Sequence, residues 1–406
     1  MLDADTRVRE GVTVLNTPAQ IAERVEQFEE SKIRVMFDLA EEHEGDLVRL
    51  EVGEPDFDTP QHIVSGAMDA AHDGATHYTS NAGLPEVREA IANKMADENY
   101  VHVDPESELV VTNGAMEALL LAMLAVVNPG DDVLIPTPGW PNYSAQATLA
   151  GAKPVEVPMS PEDDFDLDAD RVIDAMSSDT AAVLLNTPCN PTGRDFDREE
   201  IQRVTDAVAD YNAYLIADEV YEGLVYDGSS EGIASYVDHP ERVLTVNGCS
   251  KKYAMTGWRL GWLAGDETVI DTTTTIHQST TSCASSVSQH AALTALTGDQ
   301  SSIEEMYDVF ERRRDFVVDR IAEIPGVSCP RPNGAIYVFL DVSEFEGSSM
   351  EIAKKLLNNY GVVTAPGSGF GDVGEGYLRL SFANSLDELE KGLNRIEEMA
   401  HDELGD

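Results

Sequence analysis

Between residues 109 and 265 the chain alternates short, mainly apolar runs with longer stretches in which apolar residues recur every three or four positions. The runs Leu109–Thr112, Asp132–Pro136, Pro154–Val157, Ala181–Asn186, Ala213–Ala217, Val243–Val246 and Gly261–Gly265 have the length and composition of strands. Ala115–Val127, which stops at Asn128-Pro129-Gly130, and Asp197–Tyr211 read as helices. Strands alternating with helices predict an α/β fold: a large domain with a mostly parallel central sheet covered by helices. Past residue 300 the rhythm changes. A long helical pattern from Ser302 to Ile324 is followed by strands Ala335–Leu340 and Tyr377–Ser381 around a helix Met350–Tyr360. This predicts a second, smaller α+β domain. The expected division is residues 56–300 for the large domain, and residues 1–55 with 301–406 for the small one.

Composition narrows the possible partners. The 406 residues are 42% hydrophobic, enough for a sizeable core. Asp and Glu number 75 against 27 Lys and Arg, for a formal charge of −48, and only eight of the basic residues are Lys. Nucleic acid and anionic membrane need a basic footprint and are disfavoured. Self-repulsion of this size calls for screening, so the surface reads as a halophilic type, suited to concentrated salt; an unusually acidic mesophilic protein is the plainer alternative. Cys189, Cys249, Cys283 and Cys329 lie far apart without a C-x-x-C, and the nine His residues show no metal-ligand spacing. Neither a disulfide framework nor a metal site is expected, and a reducing cytoplasm is. Met1–Glu10 has no apolar signal core, and the longest apolar run, Leu119–Val127, is far short of the ~20 residues of a membrane span.

In sheets of this kind ligands bind beyond the carboxyl ends of the strands, so the residues after each strand carry the chemistry. Asn113-Gly114-Ala115-Met116 opens a helix whose free amides suit a phosphate, although a Gly before a helix is by itself usually just a turn. Thr187-Pro188-Cys189-Asn190-Pro191-Thr192-Gly193 is an ordered loop that by itself reads as structural. Asp218, at the end of an apolar strand, needs a cation: a protonated ring nitrogen or a structural Arg would serve equally. After Val243–Val246 come Ser250-Lys251-Lys252 and, eight residues past Lys251, Arg259. The other lysines sit in charged helices, at a strand edge or in the charged N-terminal segment. Only Lys251 and Lys252 follow a buried strand among small and apolar residues, where an amine can lose its proton and form a Schiff base. An amine, a carboxylate, an anion-binding turn and an arginine together describe a pyridoxal phosphate site.

The sequence resembles the class I pyridoxal-phosphate-dependent aminotransferases of the aspartate aminotransferase fold, and within them the prokaryotic aspartate and aromatic enzymes. The resemblance runs from Val52-Gly53-Glu54-Pro55-Asp56-Phe57 to Arg379-Leu380-Ser381-Phe382-Ala383. Its most specific piece is Ser250-Lys251 through Met255-Thr256-Gly257-Trp258-Arg259, supported by Asn190-Pro191-Thr192-Gly193 and Asp218-Glu219-Val220-Tyr221 in the same order as in the family. The resemblance implies an enzyme whose cofactor is pyridoxal 5′-phosphate. Lys251 would be the Schiff-base lysine and proton shuttle, the spacing selecting it over Lys252, whose loss should be nearly neutral. Asp218 would pair with the ring nitrogen, and Asn190 and Tyr221 would bond the ring's phenolic oxygen. The amides of Ala115 and Met116, with Ser250 and Arg259, would hold the phosphate. Trp140 would stack on the ring, and Tyr78 would reach the phosphate of a neighbouring subunit in a homodimer. Arg379 and the backbone of Gly53 would bind the substrate α-carboxylate.

In some aspartate-using relatives the position of Met116 carries a lysine, and the stretch Gln278–Gln289, where other relatives supply an arginine, has none. The expected reaction is therefore ping-pong transfer of an amino group from an aromatic or other apolar L-amino acid to a 2-oxo acid, 2-oxoglutarate in the first instance. An aspartate aminotransferase is the alternative. A β-lyase on the same fold and a regulator with an aminotransferase-like domain are others, the last lacking room and basic charge for a DNA-binding segment. Gly367–Gly371 is expected to be a mobile loop, Cys189 and Cys249 buried thiols, and Arg312–Arg314 a solvated helix face.

Overall fold

A computed structural model of the chain describes residues 31–405; residues 1–30, including the segment read as lacking a signal core, lie outside the described residues. Twelve strands are described: β1 (Val48–Arg49), β2 (Leu109–Thr112), β3 (Asp132–Thr137), β4 (Lys153–Pro158), β5 (Thr180–Asn186), β6 (Tyr214–Asp218), β7 (Val243–Gly248), β8 (Gly261–Ala264), β9 (Tyr337–Asp341), β10 (Val362–Val363), β11 (Ala365–Pro366) and β12 (Tyr377–Ser381). Seven form one sheet in the order β2-β8-β7-β6-β5-β3-β4, with β8 antiparallel to both neighbours and the remaining pairs parallel. The residues of β2, β7 and β8 are buried throughout, as expected of strands covered on both faces. One face packs on the helix Ala115–Val126, through Ala118, Leu119, Ala122 and Met123. The other packs on Ala169–Ala175 and Arg198–Asp210, through Val172, Ile201, Val204 and Val208. Ile63, Ile91 and Ala291 of the helices Gln61–His72, Pro85–Asn99 and Ser286–Thr297 cluster with the β2–β8 edge. Among the described residues no helix is long and apolar enough to cross a membrane.

The smaller part holds the antiparallel sheet β11-β12-β9 and the pair β1-β10. The helices Ser301–Ile321 and Leu386–Leu404 lend it Phe310, Val317, Leu393 and Ile396. The helix expected over Met350–Tyr360 is α-helical over Ser349–Lys355 and then runs through a π turn, Leu356–Tyr360. Leu356 and Leu357 are adjacent yet both buried, and the wider turn lets both side chains face the core.

Two expectations are corrected. Arg313 and Arg314 are buried, leaving only Arg312 on a solvated face. Arg313 grips Asp56 with two bonds of 2.6 and 2.9 Å between the rings of Phe57 and Phe310. Arg314 bonds Asp227 and lies over the ring of Tyr226. A planar guanidinium with carboxylate partners and aromatic faces can be buried where an ammonium would lose more hydration. Lys94, on the helix Pro85–Asn99, is likewise buried, bonding Glu222 at 2.6 Å and Asn99 at 2.7 Å. The Gly367–Gly371 segment is packed rather than loose: the Gly367 amide donates to Tyr377 O at 2.8 Å, and Phe370 is buried.

Candidate active site

The loops after β2, β5, β6 and β7 converge on a cavity of about 430 Å³. Gly53, Ala115, Met116, Trp140, Asn190, Asp218, Tyr221, Ser250, Lys251, Arg259 and Arg379 all line it. Tyr78, at 90% exposure, stands outside it. The geometry therefore assembles residues spread over more than three hundred positions and leaves out the one expected to act across a subunit boundary.

At the floor, β5 and β6 pair Asn186 with Asp218. Asn186 ties the two following loops together: its Nδ2 donates to Asp218 O at 3.0 Å, and its Oδ1 accepts from the Asn190 amide at 2.8 Å. Asp218 is buried, and its carboxyl is pushed up to about 6 by burial, against the lowering effect of the Tyr143 hydroxyl, which donates to Oδ2 at 2.7 Å, the Val220 amide and the charge of Lys251. Sequence reasoning missed Tyr143. It lies 75 positions before Asp218 on the short helix Asn142–Leu149, and its phenol is held well above its ordinary value by burial and by Asp218.

At one end, Gly114 at φ 83° precedes the helix Ala115–Val126. The amides of its first turn have no intrahelical acceptor. A Cβ on Gly261 would lie 2.6 Å from Ala115 N, so only glycine lets β8 pass this close beneath them. The guanidinium of Arg259 lies against Gly114, its Nη1 donating to Thr256 O at 2.8 Å. In the middle, Lys251 Nζ donates to Gly53 O at 2.6 Å and lies 5.5 Å from the centre of the Tyr221 ring. At the far end, Arg379 is buried, with Nη1 on Asn190 Oδ1 at 3.1 Å, Nη2 on Glu51 O, and its guanidinium over the Tyr337 ring at 4.5 Å. Cys189 and Cys249 are buried thiols pushed up to about 11 and about 12 by desolvation, protonated and unsuited to nucleophilic work at neutral pH.

Lys252 turns the other way. Its ammonium pairs with Glu98 and faces Glu222, which also holds Lys94. The charges of Lys94 and Lys252 keep the buried Glu222 carboxyl down at about 2. The expectation that loss of Lys252 is nearly neutral concerns turnover; for stability, its loss would leave the buried Glu222 and the partly exposed Glu98 one cation short. Lys252→Ala should keep cofactor attachment while costing about 1–3 kcal/mol, read as a lower denaturation midpoint. An unchanged midpoint would show the pair to be idle.

The family model of aminotransferase classes I and II matches residues 45–396. The chain belongs to the class I and II aminotransferases. An aspartate aminotransferase of Pyrococcus abyssi is 39% identical over 382 residues, 93% of this chain and 98% of that protein. An aromatic-amino-acid aminotransferase of Thermococcus litoralis is 38% identical over the same shares. A solved structure of Thermus thermophilus aspartate aminotransferase with maleate superposes with a TM-score of 0.89 at 36% identity, covering 93% of this chain and 99% of that one. The protein is thus an aminotransferase, moving amino groups between amino acids and oxo acids, and its cofactor is pyridoxal 5′-phosphate.

The residues present fit that cofactor. Among the described residues, Asp218 has no cation in bonding contact, and a protonated ring nitrogen would supply one. The helix start beside Arg259 suits a phosphate, and Lys251 offers the amine. In the cofactor-free protein folding favours the protonated form of Asp218 relative to the unfolded chain. Its contribution to stability is therefore complete below its unfolded value of 3.8 and is lost as pH rises through about 6. A ring nitrogen held there would need the ionised carboxylate, so cofactor binding would have the opposite sign. Affinity should fall as pH drops through about 6, and Asp218→Asn should lose that part of the fall. Fluorescence titrations of the apoprotein between pH 5 and 8 measure both; equal pH profiles would remove Asp218 from the ring nitrogen.

Proposed function

We propose that this aminotransferase takes its amino group from an aromatic or other apolar L-amino acid and passes it to a 2-oxo acid, 2-oxoglutarate in the first instance, in two half-reactions of a ping-pong cycle; the distal carboxylate of 2-oxoglutarate then needs a cation recruited from outside the described cavity lining. The observation that carries this reading is the wall of the cavity. Ile33, Phe37, Met116, Leu119, Trp140 and Tyr337 line it, and among the described lining residues the only cations are Lys251, Arg259 and Arg379, each already committed. Met116, at the position that the resemblance assigns to a lysine in some aspartate-using relatives, lines this wall, and its sulfur faces the amides of Asn142 and Gln146 at 3.8 and 3.5 Å. The name of the Pyrococcus abyssi relative supports the aspartate reading as the alternative.

In this reading the cofactor, when bound, supplies the electron sink for charge released at the substrate Cα. Lys251 Nζ removes the Cα proton and later returns one, as base and then acid. Asp218, steadied by Tyr143, holds the ring nitrogen's proton. Asn190 and Tyr221 bond the phenolic oxygen, and Ala115, Met116, Ser250 and Arg259 hold the phosphate. Trp140 covers the ring, while Gly53 and Arg379 orient the α-carboxylate. Tyr78, exposed as it is, reaches the phosphate of a second copy in a homodimer. The division near residue 300 separates a cofactor-binding domain from a smaller one in a cytoplasmic, salt-adapted protein.

Values of kcat/KM for aspartate, alanine, phenylalanine and tyrosine in the wild type and in Met116→Lys test the donor. The wild type should favour the aromatic donors, and the added cation should move the ratio toward aspartate. A wild type that prefers aspartate tenfold, about 1.4 kcal/mol, would reverse the donor assignment. Release of ammonia and pyruvate in place of a new amino acid would point to a β-lyase.

A further inference from the structure

Tyr337, in β9, had no signal in the sequence, yet it touches three parts of the site. Its hydroxyl lies 2.7 Å from that of Tyr221 and 3.3 Å from Gly53 O, and its ring underlies the Arg379 guanidinium. A Cβ on Gly53 would come within 2.6 Å of the Tyr337 oxygen, so the two segments meet this closely only at a glycine. Both tyrosines are buried, and burial together with the Tyr337 neighbour raises Tyr221 well above its ordinary value, so its proton stays in place. The charged groups facing the pair are Arg379, Lys251 and Asp218.

Each hydroxyl has one proton to give and lone pairs to receive. If Tyr337 gives its proton to Gly53 O, Tyr221 must give its own to Tyr337, and only lone pairs of Tyr221 face the cavity. If another donor holds Gly53 O, Tyr337 gives to Tyr221, and the Tyr221 proton points into the cavity. In the cofactor-free protein Lys251 Nζ holds Gly53 O at 2.6 Å; the phenol's own contact with that oxygen is 3.3 Å, longer than the usual range of about 2.5–3.0 Å for an O–H···O bond, so it is the weaker claim on the Tyr337 proton whether or not the amine is engaged by the cofactor. An anionic oxygen in the cavity favours the same direction, because a charged acceptor outcompetes a distant neutral carbonyl. We infer that Tyr337 is a positioning residue that sets Tyr221 as a hydrogen-bond donor into the cavity, strengthening its hold on the cofactor's phenolic oxygen. The inference rests on the placement of Tyr221 proposed above.

The test is the pH at which the absorbance of the bound cofactor changes, in wild type, Tyr337→Phe, Tyr221→Phe and the double variant. Phenylalanine keeps the ring beneath Arg379, and melting curves of the loaded proteins confirm the fold. A donor favours the ionised form of the oxygen it bonds, so weakening it moves the transition to higher pH. Tyr337→Phe should raise it by about half a unit, roughly threefold in the equilibrium. Tyr221→Phe should raise it more, and the double variant should match Tyr221→Phe alone, because Tyr337 acts only through Tyr221. No upward shift in Tyr337→Phe, or shifts that add in the double variant, would overturn the inference while leaving Tyr221 in place. No shift in Tyr221→Phe would overturn both.

Discussion

Lys251→Ala should leave a folded protein that still binds the cofactor but turns over at least about 10²–10⁴-fold more slowly, from loss of the proton-transfer role alone. Loss of the amine that exchanges with the substrate deepens the deficit. The fold should tolerate the change because among the described residues Lys251 makes a single side-chain hydrogen bond, to Gly53 O, and no ion pair. Its neighbour Lys252 belongs to the cluster of Glu98, Glu222 and Lys94 and cannot swing into the cavity without abandoning Glu98. Adding a small primary amine should restore part of the rate in Lys251→Ala. Turnover within threefold of wild type would assign the proton transfer to another group.

Arg379→Ala should lower kcat/KM for every donor, since all carry the α-carboxylate. Truncating one member of a buried charge pair typically costs about 2–5 kcal/mol, roughly 30-fold to several thousandfold. Arg379 is positioned for a planar two-point contact by Asn190 Oδ1, Glu51 O and the face of Tyr337, which fix the guanidinium without neutralising it. Lysine in its place should recover little, because a point charge cannot reproduce the fork. Steady-state kinetics with alanine and phenylalanine measure the effect. A loss confined to one donor would show that Arg379 reads the side chain instead.

The strands of the large sheet and the loops beyond them were legible because each is a local pattern: an apolar run, then a Gly, Pro or acid within a few residues. Lys251 and Asp218 stand on or just after one of these runs, and Arg259 stands just before the next. What escaped was set by contacts between distant segments. Tyr143 meets Asp218 across 75 positions and Tyr337 meets Tyr221 across 116, and nothing near either tyrosine announces its partner. The buried arginines were misjudged for the same reason, since a basic residue in a charged helix looks solvated until its carboxylate arrives from elsewhere. The helix Glu267–Thr280 carries Thr272 to Thr275 in a row, poor helix formers that dilute its apolar pattern. It is held by packing on Ala115–Val126, where His277 Nε2 meets Glu117 at 3.3 Å.

The most direct test is chemical. The loaded protein is reduced with borohydride, digested, and searched for the residue that carries the cofactor. The mass should appear on Lys251 at about one cofactor per chain, and Lys251→Ala should give none. Labelling of Lys252, or of any lysine outside the cavity, would contradict the arrangement on which every role assigned here depends.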